Sequence, residues 1–303
     1  MSAKIQVLPP EVASRIAAGE VIERPASMLK ELLENSLDAG ASRVSIEALG
    51  AGRASLRISD DGSGMSADDC ALSLERHATS KLRSLEDLQR LGTFGFRGEA
   101  LYAISAVSRL TLSSALRGDK IGWKIVAEGG RIVSSGPAPA VPGTTIEVRD
   151  LFFNTPARLK FLKSDAFEKG KLAAVVEEAA LANPRIRLVY KSESRVALNF
   201  EPADDGRRLE EVLGKDLSRG LLSIPAERPG INLRLYVSSP DALASSRGFQ
   251  YWFVNKRPVT ARILQQALYK AYEGQRGSAK HPVCVSHLDL SPDSFDVNVH
   301  PGK

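Results

Sequence analysis

Cysteine is scarce: Cys70 and Cys284 are the only two in 303 residues, far apart and without metal-ligand spacing. A disulfide framework or a zinc site is therefore not expected, and each thiol reads as a small buried apolar side chain. No apolar run approaches the length needed to span a bilayer, and residues 1–10 lack an apolar signal core. The expectation is a protein without a membrane segment that stays in the compartment where it is made. Low-complexity tracts, fixed-period repeats and the Gly-Lys-Ser/Thr of a Walker A loop are also missing.

What is present has the balance of an ordinary globular protein, 43% hydrophobic and 25% charged. The length suits two domains better than one. A net charge of +5 permits contact with nucleic acid without requiring it. An opening segment, Pro10 to Gly19, carries Val12, Ala13 and Ile16 at helical spacing. Pro25 then stands where a first helical turn tolerates it, and Met28, Leu29, Leu32, Leu33 and Leu37 follow at i, i+3, i+4 intervals up to Gly40. Val44–Ile46 and Leu56–Ile58 alternate around Gly50-Ala51-Gly52 and predict an antiparallel hairpin. Ser66 and Asp69 predict a capping box for a helix reaching about His77. Further on, the pattern predicts a helix over Glu99–Val107 and strands at Leu110–Ser113, Trp123–Ala127 and Thr144–Val148. A helix from Asp165 to Ala182 is stopped by Asn183-Pro184. The polar stretch Pro202–Arg208 is the candidate boundary. Beyond it come strands at Leu233–Val237 and Tyr251–Val254, a helix from Thr260 to Glu273 capped by Thr260, and strands around Val283–Leu290 and Asp296–Val299. That order predicts an α+β domain.

Within the Lys30–Asp38 segment, Glu31, Asn35 and Asp38 share one helical face opposite the leucines. Such a face is the solvated side of a surface helix, or else it pairs a general base, Glu31, with a magnesium ligand, Asn35. Asp60-Asp61-Gly62-Ser63-Gly64 follows a strand. Its glycines let the backbone turn sharply beside a ligand, and Asp60 can accept from an adenine amino group; an ordinary turn has the same composition. Arg76 to Lys81, with Thr79 and Ser80, suits phosphate oxygens, or is the basic tail of a helix. Gly92 to Ala100 runs into a helix, and its Gly95, Phe96, Arg97, Gly98 and Glu99 suit a mobile lid that offers N–H groups to a triphosphate. Gly143-Thr144 opens a strand, where the Thr144 hydroxyl can complete an adenine pocket.

Taken in order, Glu-x-x-x-Asn on a helix, Asp-x-Gly-x-Gly, a glycine-rich lid and Gly-Thr at a strand start resemble the gyrase, Hsp90, histidine kinase and MutL (GHKL) group. Gly95–Ala100, Arg76–Lys81, Phe153–Arg158, Asp296–Pro301, Ile5–Pro10 and Ile16–Val21 are similar to the MutL family of DNA mismatch repair proteins. The resemblance spans the chain. It implies a GHKL α/β sandwich ATPase domain over residues 1–203, then an α+β domain resembling ribosomal protein S5 domain 2 over residues 204–303. It further implies ATP and Mg²⁺ as cofactors, with Glu31 as the base, Asn35 on magnesium, Asp60 and Thr144 recognising adenine, and Gly64 at the nucleotide. Thr79, Ser80 and Gly95–Gly98 would hold phosphates, with Arg97 and Glu99 in the lid, and Lys303 would reach the γ-phosphate. Implied partners are a second copy in an ATP-dependent dimer, a MutS-type mismatch sensor, a downstream nuclease or helicase, and DNA bound without sequence preference. A bacterial, cytoplasmic setting goes with it. The resemblance also implies a C-terminal dimerisation domain, expected to lie beyond the residues given.

Lys256, Arg257, Arg262, Lys270, Arg276 and Lys280 crowd the second domain, and Arg262 and Lys270 fall on one side of its predicted helix. A solvated basic face looks the same. By resemblance, Arg262 marks a groove for the DNA backbone, and Lys256 and Lys270 of the same basic cluster are expected to bind it too. With Tyr251, Trp252 and Phe253 partly claimed by strand alternation, base stacking is not supported. Two rival readings are a topoisomerase- or chaperone-type ATPase of the same group and a nucleotide-dependent binding module with negligible hydrolysis.

Overall fold

The computed structural model describes residues 18–19, 21–80, 98–274 and 280–291. Its described residues form two compact units, one from 18–80, 98–176 and 186–201, the other from 177–185 and 202–291.

In the first unit, helix α1 (Pro25–Asp38) begins at the expected proline. Ser27 Oγ accepts the backbone N–H groups of Glu23 (3.1 Å) and Arg24 (3.0 Å), satisfying donors that no helical carbonyl can reach. Met28, Leu29, Leu32 and Leu33 are buried, as their spacing predicts. Truncating one such leucine typically costs about 2–5 kcal/mol. Strands β1 (Arg43–Leu49) and β2 (Ser55–Asp60) form the predicted hairpin, with Ile46 opposite Ile58. Helix α2 (Ala67–Leu72) is capped by Ser66, which accepts Asp69 N–H. It ends well short of His77, because Ser73 Oγ turns back onto the Cys70 carbonyl and His77 takes a left-handed φ of 65°.

Helix α3 (Ala100–Ala106) leads to β3 (Arg109–Ala115), β4 (Ile121–Glu128), β5 (Arg131–Pro139) and β6 (Gly143–Arg149). Helices α4 (Pro156–Phe161) and α5 (Asp165–Ala182) follow, the latter with the bounds read from the sequence, and then β7 (Arg187–Ser192) and β8 (Arg195–Phe200). The sheet order is β5-β4-β3-β6-β2-β1-β7-β8, antiparallel except where β1 meets β7. β2 and β6 therefore lie side by side at the centre, and their ends Asp60 and Thr144 are cross-strand neighbours. Leu56, Ile58, Leu110, Leu112, Ile146 and Val148 bury the alternate positions of these central strands.

The second unit opens with α6 (Asp205–Leu213), where a plain polar boundary was expected. Asp204 caps it by accepting Arg207 N–H, and Leu209 and Leu213 are buried. After α7 (Lys215–Arg219) come β9 (Leu221–Arg228), β10 (Ile231–Ser238), β11 (Gln250–Val254), β12 (Arg257–Pro258), α8 (Arg262–Ala271) and β13 (Cys284–Leu290). The sheet order is β12-β11-β13-β10-β9. Leu181, Ala182, Leu209, Leu213, Phe253, Val283 and Val285 share one core cluster. Thr260 does not cap α8: the N-cap is Ala261, with no side-chain bond, and the helix starts later than expected. Cys70 and Cys284 are both buried and unpaired. The expected strand at Asp296–Val299 and most of the opening helix lie outside the described residues.

Candidate functional site

The last residue of β2 organises the site. Asp60 is half-buried, and its Oδ2 accepts the Ser36 hydroxyl at 2.8 Å. Its Oδ1 accepts Gly62 N–H at 2.9 Å and Thr144 N–H at 3.3 Å. Ser36 is one residue beyond Asn35 on α1, so this carboxylate ties the end of the sheet to the helix that carries Glu31 and Asn35. Burial pushes the Asp60 carboxyl above its usual range, against the opposing hydrogen bonds from Ser36, Gly62 and Thr144.

Asp61, next along, has a different environment. It accepts from Ser42 N–H and Oγ and from Arg43 N–H and Nε, all within 3.0 Å. Burial alone would raise its carboxyl, but these donors together hold it far below the carboxylate range. The strand's alternation separates the two: Asp60 faces the helix, and Asp61 pins the start of β1.

Two glycines make room at this end of the sheet. Gly64 has φ +73°, and a Cβ on it would fall 1.9 Å from the Ala115 carbonyl oxygen. Gly143 has φ +101°, and a Cβ there would fall 2.1 Å from the Asp60 carbonyl oxygen. No larger residue fits either position without moving backbone.

The sequence reading missed Ser114, on β3. It is buried and opposite Thr144; its Oγ lies 2.9 Å from Thr144 Oγ1, donates to the Gly143 carbonyl at 2.8 Å and accepts Met65 N–H at 2.9 Å. One signal was available: Leu110 and Leu112 put position 114 on the core-facing side of the strand, where a serine needs partners.

Glu31, Asn35 and Asp38 are half-buried on the face of α1 that the leucines leave. Among the described residues no three His, Cys, Asp or Glu side chains cluster. A divalent ion here would therefore depend on the Asn35 amide oxygen and the ligand's own phosphates, which suits Mg²⁺ and its preference for few protein ligands.

A second grouping joins two motifs that are separate in sequence. Glu99 Oε1 lies 3.8 Å from Arg76 Nε and 3.4 Å from His77 Nδ1, and His77 N–H donates to the Gly98 carbonyl at 3.1 Å. Thr79, half-buried, and Ser80, exposed, follow directly. Lys81, Gly95, Phe96, Arg97, Arg276 and Lys303 lie outside the described residues. In the second unit Lys256, Arg262 and Lys270 are all exposed. Arg262 opens α8, Lys270 lies in its last turn, and Lys256 sits in the left-handed Asn255–Lys256 turn between β11 and β12.

Residues 23–128 match the model of the histidine kinase-, DNA gyrase B-, and HSP90-like ATPase, and residues 209–303 match that of the DNA mismatch repair protein, C-terminal domain. A solved Aquifex aeolicus MutL ATPase domain complexed with ADP is similar, with a TM-score of 0.69 and 32% identity over 90% of this chain and 94% of that one. The chain belongs to the MutL DNA mismatch repair family. MutL proteins of Elusimicrobium minutum and Pelobacter propionicus are 48% and 44% identical to it, over 99% and 100% of the chain. The chain spans about half the length of these curated MutL relatives, 50% of each. Its two sheets with their flanking helices are the GHKL ATPase fold followed by an S5-like domain.

Proposed function

We propose that the chain binds Mg-ATP at the Asp60–Thr144 end of the first sheet and hydrolyses it slowly as part of DNA mismatch repair. The observation that supports this most is the Asp60 carboxylate, held by Ser36 from α1 and Thr144 from β6 yet still half-exposed. In this reading Asp60 and Thr144 take the adenine edge, and the tight turn at Gly64 lets backbone approach the base. Asn35 supplies an oxygen to Mg²⁺, which when bound offsets phosphate charge. Glu31, one turn before Asn35 on the same face, accepts a proton from the attacking water as the terminal phosphate leaves ADP. Thr79, Ser80, Gly95, Phe96, Arg97, Gly98 and Glu99 close on the phosphates, and Lys303 approaches the terminal one.

The division into an ATPase domain over residues 1–203 and a transducer over residues 204–303 belongs to the same proposal. So does association of two copies when ATP is bound, undone by hydrolysis. Arg262, Lys256 and Lys270 contact the DNA backbone without reading sequence. A MutS-type sensor upstream, a nuclease or helicase downstream, and a cytoplasmic location complete the reading.

The test is Mg-dependent ATP hydrolysis over a range of protein concentrations, with Glu31→Ala as control. Specific activity rises with concentration, and the variant loses about 10²- to 10⁴-fold in turnover while still binding ATP. Hydrolysis unaffected by Glu31→Ala would remove the proposed base. ATP binding without turnover would favour a binding module.

A further inference from the structure

Ser114 lies behind the proposed base pocket, 3% exposed, and its hydroxyl is fully used. A serine hydroxyl has one proton to give and two lone pairs. The proton goes to the Gly143 carbonyl at 2.8 Å, a group that can only accept. One lone pair takes Met65 N–H at 2.9 Å, and the other faces Thr144 Oγ1 at 2.9 Å. The Ser114–Thr144 hydrogen bond must then use the Thr144 proton. Thr144 Oγ1 is left with lone pairs alone for anything else that approaches it. Its cross-strand neighbour Asp60, receiving Ser36, Gly62 and Thr144 N–H, likewise offers acceptor oxygens.

We infer that Ser114 is a positioning residue for base specificity. By committing the Thr144 proton it turns the Thr144 hydroxyl into an acceptor beside Asp60. The pocket wall then favours a base edge that donates, such as an adenine amino group, over one that presents a carbonyl, as in hypoxanthine or guanine. A carbonyl oxygen there would meet acceptors on both sides and lose its own hydrogen bond. The inference rests on the nucleotide site proposed above, and adds to it a residue that need not touch the nucleotide.

Calorimetric affinities for ATP and inosine triphosphate, on the full chain, test it with Ser114→Ala, Ser114→Thr and Thr144→Val. The wild-type chain prefers ATP. Ser114→Ala releases the Thr144 hydroxyl to donate, and the ATP-to-inosine-triphosphate affinity ratio falls about tenfold. Ser114→Thr, which keeps a hydroxyl in place, holds the ratio near wild type. A purely structural loss would weaken both ligands together and leave the ratio alone. An unchanged ratio in a Ser114→Ala chain that still binds ATP overturns the inference. So does equal wild-type affinity for the two nucleotides, with the nucleotide site left standing. If Ser114→Ala does not fold, Thr144→Val decides: an unchanged ratio there overturns the inference as well. A wild-type chain that binds neither nucleotide overturns the site itself, and the inference with it.

Discussion

In the first unit the buried hydroxyls of Ser36 and Ser114 end on Asp60 and Thr144, which remain half-exposed. In the second unit, Tyr272 and His287 end on partners inside it. The Tyr272 hydroxyl, in a buried residue, donates to the Ser238 carbonyl. His287 stacks on Phe253 with ring centroids 5.0 Å apart. In both, each of these buried hydroxyls has the hydrogen-bond partner it needs. They differ in what the partner can still do. Backbone carbonyls and ring faces inside a core close the network, whereas a half-exposed carboxylate and hydroxyl keep capacity for a ligand. At the Asp60–Thr144 end of the first sheet the network stops on groups that keep that capacity, as the proposed nucleotide site requires.

The contrast can be broken most strongly by acid. Burial and the Arg234 charge hold the His287 imidazole down at about 4, against an ordinary 6.5, while Asp205 and Asp289 pull the other way. The folded protein therefore keeps His287 neutral. Above pH 6.5 this costs the folded state nothing, and as pH falls towards 4 the unfolded chain binds a proton that the folded one refuses, so stability is progressively lost. The shift corresponds to about 3 kcal/mol. Thermal unfolding at pH 7 and pH 4.5 shows the loss, and His287→Phe removes that share of the acid sensitivity. Equal sensitivity in the variant would place the cause elsewhere.

The two adjacent aspartates sharpen the same contrast on a smaller scale. Asp60→Ala is expected to cost about 2 kcal/mol of ATP binding, a loss of some 30-fold in affinity, by removing a charged acceptor from the site. Asp61→Ala is expected to cost about 1 kcal/mol of stability and leave ATP affinity alone, since its partners Ser42 and Arg43 belong to the β1 turn. Affinity titrations and thermal melts on both variants decide this, and a reversed pattern would undo the assignment.

Much of this was legible in the sequence because burial here follows periodicity. The leucines of α1 and the β1–β2 hairpin each carry a clean repeat of their own period, and the Asp165–Ala182 helix is marked by its Asn183-Pro184 stop. β5 was missed because Gly136, Pro137 and Pro139 interrupt an edge strand that is mostly exposed, so no apolar alternation marks it. β9 is exposed along nearly its whole length and hides for the same reason. Helix α6 overlaps the polar Pro202–Arg208 stretch that reads as a boundary, because its sequence is mostly polar and its only buried apolar residues are Leu209 and Leu213. At the site, composition and order led to Asp60 and Thr144, but not to what holds them. Ser36 and Ser114 are single serines at core-facing positions. Their meaning depends on partners 24 and 30 residues away, which local pattern does not encode.

Nucleotide is proposed to bind where β2 and β6 end, and hydrogen exchange reads that place directly. The amides of Gly62 and Thr144 are bonded to Asp60, and that of Met65 to Ser114. With Mg-ATP bound, exchange is expected to slow at residues 60–65 and 143–146 above all other strand ends. Bound ATP that leaves both segments unchanged would contradict it.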